Sequence, residues 1–154
     1  MKIEFVCTGN TFRSRMAEAY LKSKKIQDLI ITSSGIEANK NLNGSICDYT
    51  ISVLNNHNII NFVSSNWKLT EKIDLENQDI VIFMDENHKE FCFNKLACNI
   101  LNFEIWNIAD IPDDLIKEKS KNYDTILKVA EIDFEIIKVK IDDFIKIKIS
   151  NKYV

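Results

Sequence analysis

The run Ile3-Glu4-Phe5-Val6-Cys7-Thr8-Gly9-Asn10-Thr11-Phe12-Arg13-Ser14 leads directly into Arg15-Met16-Ala17-Glu18-Ala19-Tyr20-Leu21. Residues 2–6 are an apolar stretch suited to a strand, and 14–24 carry Met16, Ala17, Tyr20 and Leu21 on one helical face. A thiol, a glycine, an arginine and a hydroxyl therefore fall in one tight turn between strand and helix. Such a turn gathers backbone N–H groups and aims a helix N-terminus at one point, which makes an anion site. Residue usage strengthens the reading. Of 20 Lys+Arg, only residues 13 and 15 are arginine, and Gly9 is one of 3 glycines. An arginine inside that turn supplies the planar, bidentate guanidinium that grips phosphate-like oxyanions.

Outward from this turn, apolar segments alternate between strand-like and helix-like periods, which predicts an α/β fold built on a parallel sheet. Strands are expected over 2–6, 29–32, 80–83 and 99–106. Helices are expected over 14–24, 45–56, 69–75, from the cap Asp85 to residue 92, and over 123–147. Residues 37–43 and 61–67 read as irregular, and 109–114 as a turn carrying Pro112. In the long closing helix Ile126, Ala130, Phe134, Ile137, Ile141 and Phe144 recur every three or four residues and define its buried face. The tail 150–154 is expected to fray. In open sheets ligands bind at the carboxyl ends of strands. That edge would gather the Cys7 turn, the segment after Thr32 and the turn after Trp106.

At 154 residues with a formal net charge of −3, the chain is expected to be one domain spanning 1–154. The charge argues against broad nucleic-acid binding, and no apolar run is long enough for a membrane span. The opening residues lack signal-peptide form. The cysteines at 7, 47, 92 and 98 read as free thiols, and the cytoplasm is the expected compartment. His88, Cys92 and Cys98 fit no common zinc spacing, so no metal and no organic cofactor is expected. Nothing sets an oligomeric state, and a monomer is the expectation.

Val6 to Glu18 read V-C-T-G-N-T-F-R-S-R-M-A-E, and this resembles the low-molecular-weight protein tyrosine phosphatase signature V-C-x-G-N-x-C-R-S-P-M-A-E, departing at Phe12 and Arg15. Ser33-Ser34-Gly35-Ile36 and the stretch from Asp79 to Asp85 are similar to two further family segments. The resemblance implies a four-stranded parallel sheet in order 2-1-3-4 with helices on both faces. It also implies hydrolysis of a phosphorylated protein or peptide, releasing inorganic phosphate. Cys7 would be the nucleophile, passing through a phosphocysteine, and Arg13 would bind the phosphoryl group. Thr8, Gly9, Asn10, Thr11, Phe12 and Ser14 would line or support the site. Asp113, in Ile111-Pro112-Asp113, matches the family's general acid, and Asp110 is the reserve. Asp114 replaces the family's following proline.

A thiol needs activation to act as a nucleophile, and the helix N-terminus, Arg13 and Ser14 are the groups placed to provide it. Thr11 is shared with protein arginine phosphatases, so phosphoarginine stands beside phosphotyrosine as a substrate. Phe12 replaces a second cysteine found in many relatives, which removes the disulfide that would protect Cys7. The aromatics Trp67, Trp106, Phe12 and Tyr123 read as packing groups. Two further alternatives are a thioredoxin-coupled arsenate reductase and an inactive phosphate-binding module. The first would need two relay cysteines, where this chain has Met84 and Cys92.

Overall fold

The computed structural model describes residues 1–41 and 44–150. Its centre is a sheet of four parallel strands: β1 Lys2–Cys7, β2 Ile30–Gly35, β3 Ile80–Phe83 and β4 Phe103–Ile105. Their order is β2-β1-β3-β4, as the resemblance implied. β1 pairs with β2 from Lys2↔Ile30 to Cys7↔Gly35, and with β3 from Ile3↔Ile80 to Val6↔Phe83. β3 is apolar throughout and fully buried, as expected of an interior parallel strand covered on both faces.

Successive side chains of β1 point to opposite faces, and this divides the interior in two. Ile3, Phe5 and Cys7 join the larger core with Met16, Val53, Leu54, Phe134 and Ile137. That core lies under α1 Arg13–Ser23, α2 Asp48–Asn56 and α6 Lys119–Phe144. Val6 joins a smaller core on the other face with Leu75, Val81, Phe83, Cys92, Cys98 and Ile100. That face is covered by α3 Lys72–Glu76 and by α4 Glu86–Glu90, which continues as a π turn over Phe91–Lys95. All six periodic residues of the closing helix are buried.

The elements depart from the sequence reading at their ends. The helix expected over 69–75 forms only at Lys72–Glu76. Residues 68–70 instead pair with the end of β2: Gly35 N donates to Lys68 O and Thr70 N to Gly35 O, each at 2.9 Å. The fourth strand keeps only residues 103–105 of the expected 99–106, being at the sheet edge with one partner strand. A short helix, α5 Asp113–Lys117, occupies the end of the expected turn, and α6 starts at Lys119 rather than 123. Asp85 caps α4 as expected, its side chain accepting from Asn87 N. The expected fraying at 151–154 lies outside the described residues. Among the described residues no helix is long and apolar enough to cross a membrane.

Candidate active site

The loop between Cys7 and Arg13 lies at the carboxyl end of β1, and its shape is held from behind. Asn10 has a φ of 53°, a left-handed conformation that asparagine adopts more readily than most residues. Its buried side chain then fixes the directions of a chain of hydrogen bonds. Lys68 N donates to Asn10 Oδ1 at 2.9 Å, which orients the amide. Asn10 Nδ2 donates to Ser14 Oγ at 2.8 Å and to Ser33 Oγ at 2.9 Å. Ser33 in turn donates to Glu18 Oε2 at 2.6 Å. Because Ser14 Oγ accepts from Asn10, its own hydrogen is free for Cys7 Sγ, 2.9 Å away. Asn10 N also donates to that sulfur at 3.2 Å. Cys7 thus presents its sulfur as an acceptor at the start of α1, where the first-turn N–H groups have no intrahelical carbonyls.

Gly35 explains how close the neighbouring strand comes. A Cβ there would lie 2.6 Å from both Asn10 N and Thr8 O, which are backbone atoms that cannot swing aside. Ile36 N and Glu37 N donate to Cys7 O and Thr8 O at 3.0 and 2.8 Å, clamping the loop to the segment after β2.

Arg15, the departure from the family signature, is a buried cross-link. Its guanidinium donates to Asn10 O at 3.1 Å, to Ser45 O at 3.0 Å and to Ser64 O. Its Nε is 3.7 Å from Glu18 Oε2. Burial works against its charge, and Glu18 is the main opposing influence. The second arginine therefore ties the loop to two distant segments. The only forewarning in the sequence was an arginine in a lysine-rich chain.

In front of the loop opens a cavity of about 270 Å³. Of the residues expected at the site, Cys7, Thr8, Gly9, Thr11, Phe12, Arg13 and Asp113 line it, together with Asp110. Asn10 and Ser14 are buried behind the wall. Arg13 donates to Ile108 O at 3.0 Å, to Thr8 Oγ1 at 3.3 Å and to Asp110 Oδ2 at 2.8 Å. Asp113, in the first turn of α5, has no side-chain partner among the described residues. Phe12 is both packed and at the cavity: its ring meets Tyr49 edge-on at 5.3 Å, and both residues line the cavity. Trp106 is a core residue, and Trp67 and Tyr123 stand away from the cavity wall. Asn41, Cys47, Tyr49 and Lys119 also line the cavity. Sequence reading missed them because they arrive from distant segments through packing.

All four cysteines are unpaired. Cys92 lies in the core on the opposite face from Cys7, its thiol pushed up to about 12 by burial. With methionine at position 84 buried as well, the residues expected of a disulfide relay do not meet Cys7. Among the described residues no cluster of His, Cys, Asp or Glu could hold a metal ion.

A parallel sheet delivering a cysteine, an arginine and helix-start N–H groups into one small cup defines a class, that of α/β proteins with a cysteine-centred oxyanion site. Comparison with known proteins narrows it. The family model described as low molecular weight phosphotyrosine protein phosphatase matches residues 2–131. A Staphylococcus haemolyticus protein named low molecular weight protein-tyrosine-phosphatase PtpB is 36% identical over 132 residues, covering 85% of this chain and 91% of that protein. A Bacillus subtilis protein-arginine-phosphatase is 39% identical over 94 residues, covering 58% of this chain and 59% of the relative's length. A low molecular weight protein tyrosine phosphatase structure from T. tengcongensis superposes with a TM-score of 0.75 at 24% identity, covering 95% of this chain and 98% of that one. The chain belongs to the low-molecular-weight phosphotyrosine protein phosphatase family, and the relatives named above are protein phosphatases.

Proposed function

We propose that this chain hydrolyses phosphotyrosine in phosphorylated proteins or peptides, releasing inorganic phosphate, and that Cys7, Arg13 and Asp113 perform the chemistry. The observation that carries the reading is the shared cup: Cys7 and Arg13 line one cavity, with Ser14 Oγ 2.9 Å from the sulfur.

The Cys7 sulfur attacks phosphorus, and the bond from phosphorus to the leaving oxygen breaks. Asp113, in its acid form, gives that oxygen a proton. Loop N–H groups and Arg13 meet the charge on the equatorial oxygens, and such fixed donors act chiefly on the transition state. The carboxylate left on Asp113 then takes a proton from water as that water attacks the phosphocysteine. The S–P bond breaks and the sulfur anion returns. Asp113 suits this double role because its carboxyl is unengaged, whereas Asp110 is committed to Arg13. Thr8, Gly9, Thr11 and Phe12 contact the substrate, and Asn10 and Ser14 hold the loop and the sulfur. The edge of Phe12 against Tyr49 gives an aromatic wall for a tyrosine ring.

A second reading, phosphoarginine, has its own support. Thr11, Asp110 and Asp113 all line the cavity, and an acidic lining suits a leaving group that departs as a cationic guanidine. The Bacillus subtilis relative is named for that substrate. The same steps then break a P–N bond.

One domain spanning 1–154 would carry this activity as a monomer, with Cys7, Arg13 and Asp113 of the same chain lining one cavity. Four free thiols suit the reducing cytoplasm. The test is a side-by-side rate comparison on phosphotyrosine and phosphoarginine peptides with Cys7→Ser as blank. Faster phosphotyrosine turnover is expected. Faster phosphoarginine turnover selects the second reading, and binding of phosphate without turnover of either selects an inactive module.

A further inference from the structure

His88 belongs to α4, on a segment far from the loop in sequence, and is 2% exposed. Its Nε2 lies 2.9 Å from Thr8 Oγ1. The same oxygen accepts from Arg13 Nη2 at 3.3 Å. His88 Nδ1 is buried and has no partner among the described residues. Burial, and secondarily the charge of Arg13, push the imidazole down to about 4. Near neutral pH the ring is therefore uncharged, and the open variable is which nitrogen carries its single hydrogen.

The two tautomers have unequal consequences. With hydrogen on Nδ1, a buried N–H donor is orphaned, and the Thr8 hydroxyl must turn its hydrogen toward Nε2. With hydrogen on Nε2, only a bare lone pair remains unpaired at Nδ1. Orphaned buried N–H groups are the rarer of these two defects. In this second arrangement Thr8 Oγ1 accepts twice, from His88 and from Arg13, which fills both of its lone pairs. Its own O–H then has no acceptor in that cluster, and Thr8 lines the cavity.

We propose that the Thr8 hydroxyl is a direct donor to the bound oxyanion, and that His88 is the positioning residue that turns it there. The proposal rests on the reading of this cavity as a phosphoryl site. It adds a side-chain donor to a cup otherwise made of backbone N–H groups and Arg13, and it extends the site's support to α4, the helix that follows β3.

The test uses tungstate, an unreactive tetrahedral oxyanion, with the intact chain. Thr8→Val should weaken tungstate binding about tenfold or more, the range for a hydrogen bond to a charged group, and Thr8→Ser should restore it. His88→Leu should weaken binding similarly, and His88→Gln, which keeps a donor near the Nε2 position, should recover most of the loss. In a Thr8→Val background His88→Leu should cost nothing further. Nitrogen-15 NMR of the histidine rings in the unaltered protein should show hydrogen on His88 Nε2, and this needs no variant to fold. Additive losses in the double variant, or hydrogen on Nδ1, would overturn the proposal while leaving the phosphatase reading standing. No tungstate binding by the unaltered protein would overturn both.

Discussion

Asp110 Oδ2 lies 2.8 Å from Arg13 Nη2, so the guanidinium that would hold a phosphoryl group already faces an internal anion. The Asp110 side chain is 53% exposed while that of Arg13 is 6% exposed. An incoming oxyanion must share or displace this contact. An exposed carboxylate of this kind holds its partner by only about 0–1 kcal/mol. Asp110→Asn should therefore leave stability within about 1 kcal/mol and tighten inhibition by inorganic phosphate roughly two- to fivefold, read from the phosphate inhibition constant. Weaker inhibition would mean that Asp110 assists binding.

Asp113→Asn should lower kcat by about 10²- to 10⁴-fold with substrates having poor leaving groups, the range expected for loss of a positioned acid. The loss should shrink for p-nitrophenyl phosphate, whose leaving group needs little protonation. Rates on the two substrate types decide this. Full activity in Asp113→Asn together with a large loss in Asp110→Asn would transfer the acid role to Asp110.

Removing Arg15 should act on folding before chemistry. Arg15→Met leaves Glu18 with its buried charge less well paired and three backbone carbonyls without their donor. A loss of about 3–5 kcal/mol is expected from urea unfolding, because breaking a buried pair leaves an uncompensated charge. Arg15→Lys should recover little of it, since one ammonium cannot reach three carbonyls in the planar geometry of a guanidinium.

Gly35→Ala tests the fit of the loop against β2. The added methyl would meet backbone at 2.6 Å, so the loop itself must move. Strain of about 1–3 kcal/mol is expected, with a fall in kcat for p-nitrophenyl phosphate at temperatures where circular dichroism shows the protein folded. An unchanged kcat would show that the cup tolerates displacement.

The core of the site was legible because its chemistry is local. Cys7, Arg13 and Ser14 sit within eight residues of one another between a strand and a helix, and hydrophobic period alone identifies both flanks. The same period found the buried face of α6. The remaining wall was not legible, since Tyr49, Asn41, Lys119 and Cys47 reach the cavity through tertiary packing. The role of Arg15 was not legible for a related reason: its partners, Ser45 O and Ser64 O, are backbone groups and carry no residue signature. The short edge strand and the pairing of Leu69 with Gly35 depend on neighbouring strands rather than on propensity.

Asp133, buried on α6, gives a pH signature. Burial raises its carboxyl to about 6, an effect that Arg13 opposes and Asp110 reinforces. The folded chain then binds its proton more tightly than the unfolded chain does. Stability from this group is present below the ordinary carboxyl range near 4 and is lost as pH rises through about 6. His88, pushed down to about 4, acts oppositely: stability is lost as pH falls from about 6.5 toward 4. Asp133→Asn removes only the first effect. Relative to the unaltered chain, the variant should therefore gain stability on going from pH 4 to pH 7, by up to about 3 kcal/mol. Urea unfolding at the two pH values measures it, and a pH-independent difference would contradict the assignment.

The most direct test of the central claim is mass analysis of protein quenched in acid during turnover of p-nitrophenyl phosphate. The account predicts one phosphoryl group on the peptide bearing Cys7, and neither phosphorylation nor turnover in Cys7→Ala. Sustained turnover by Cys7→Ala, or a phosphoryl group found on another residue of the unaltered protein, would contradict it.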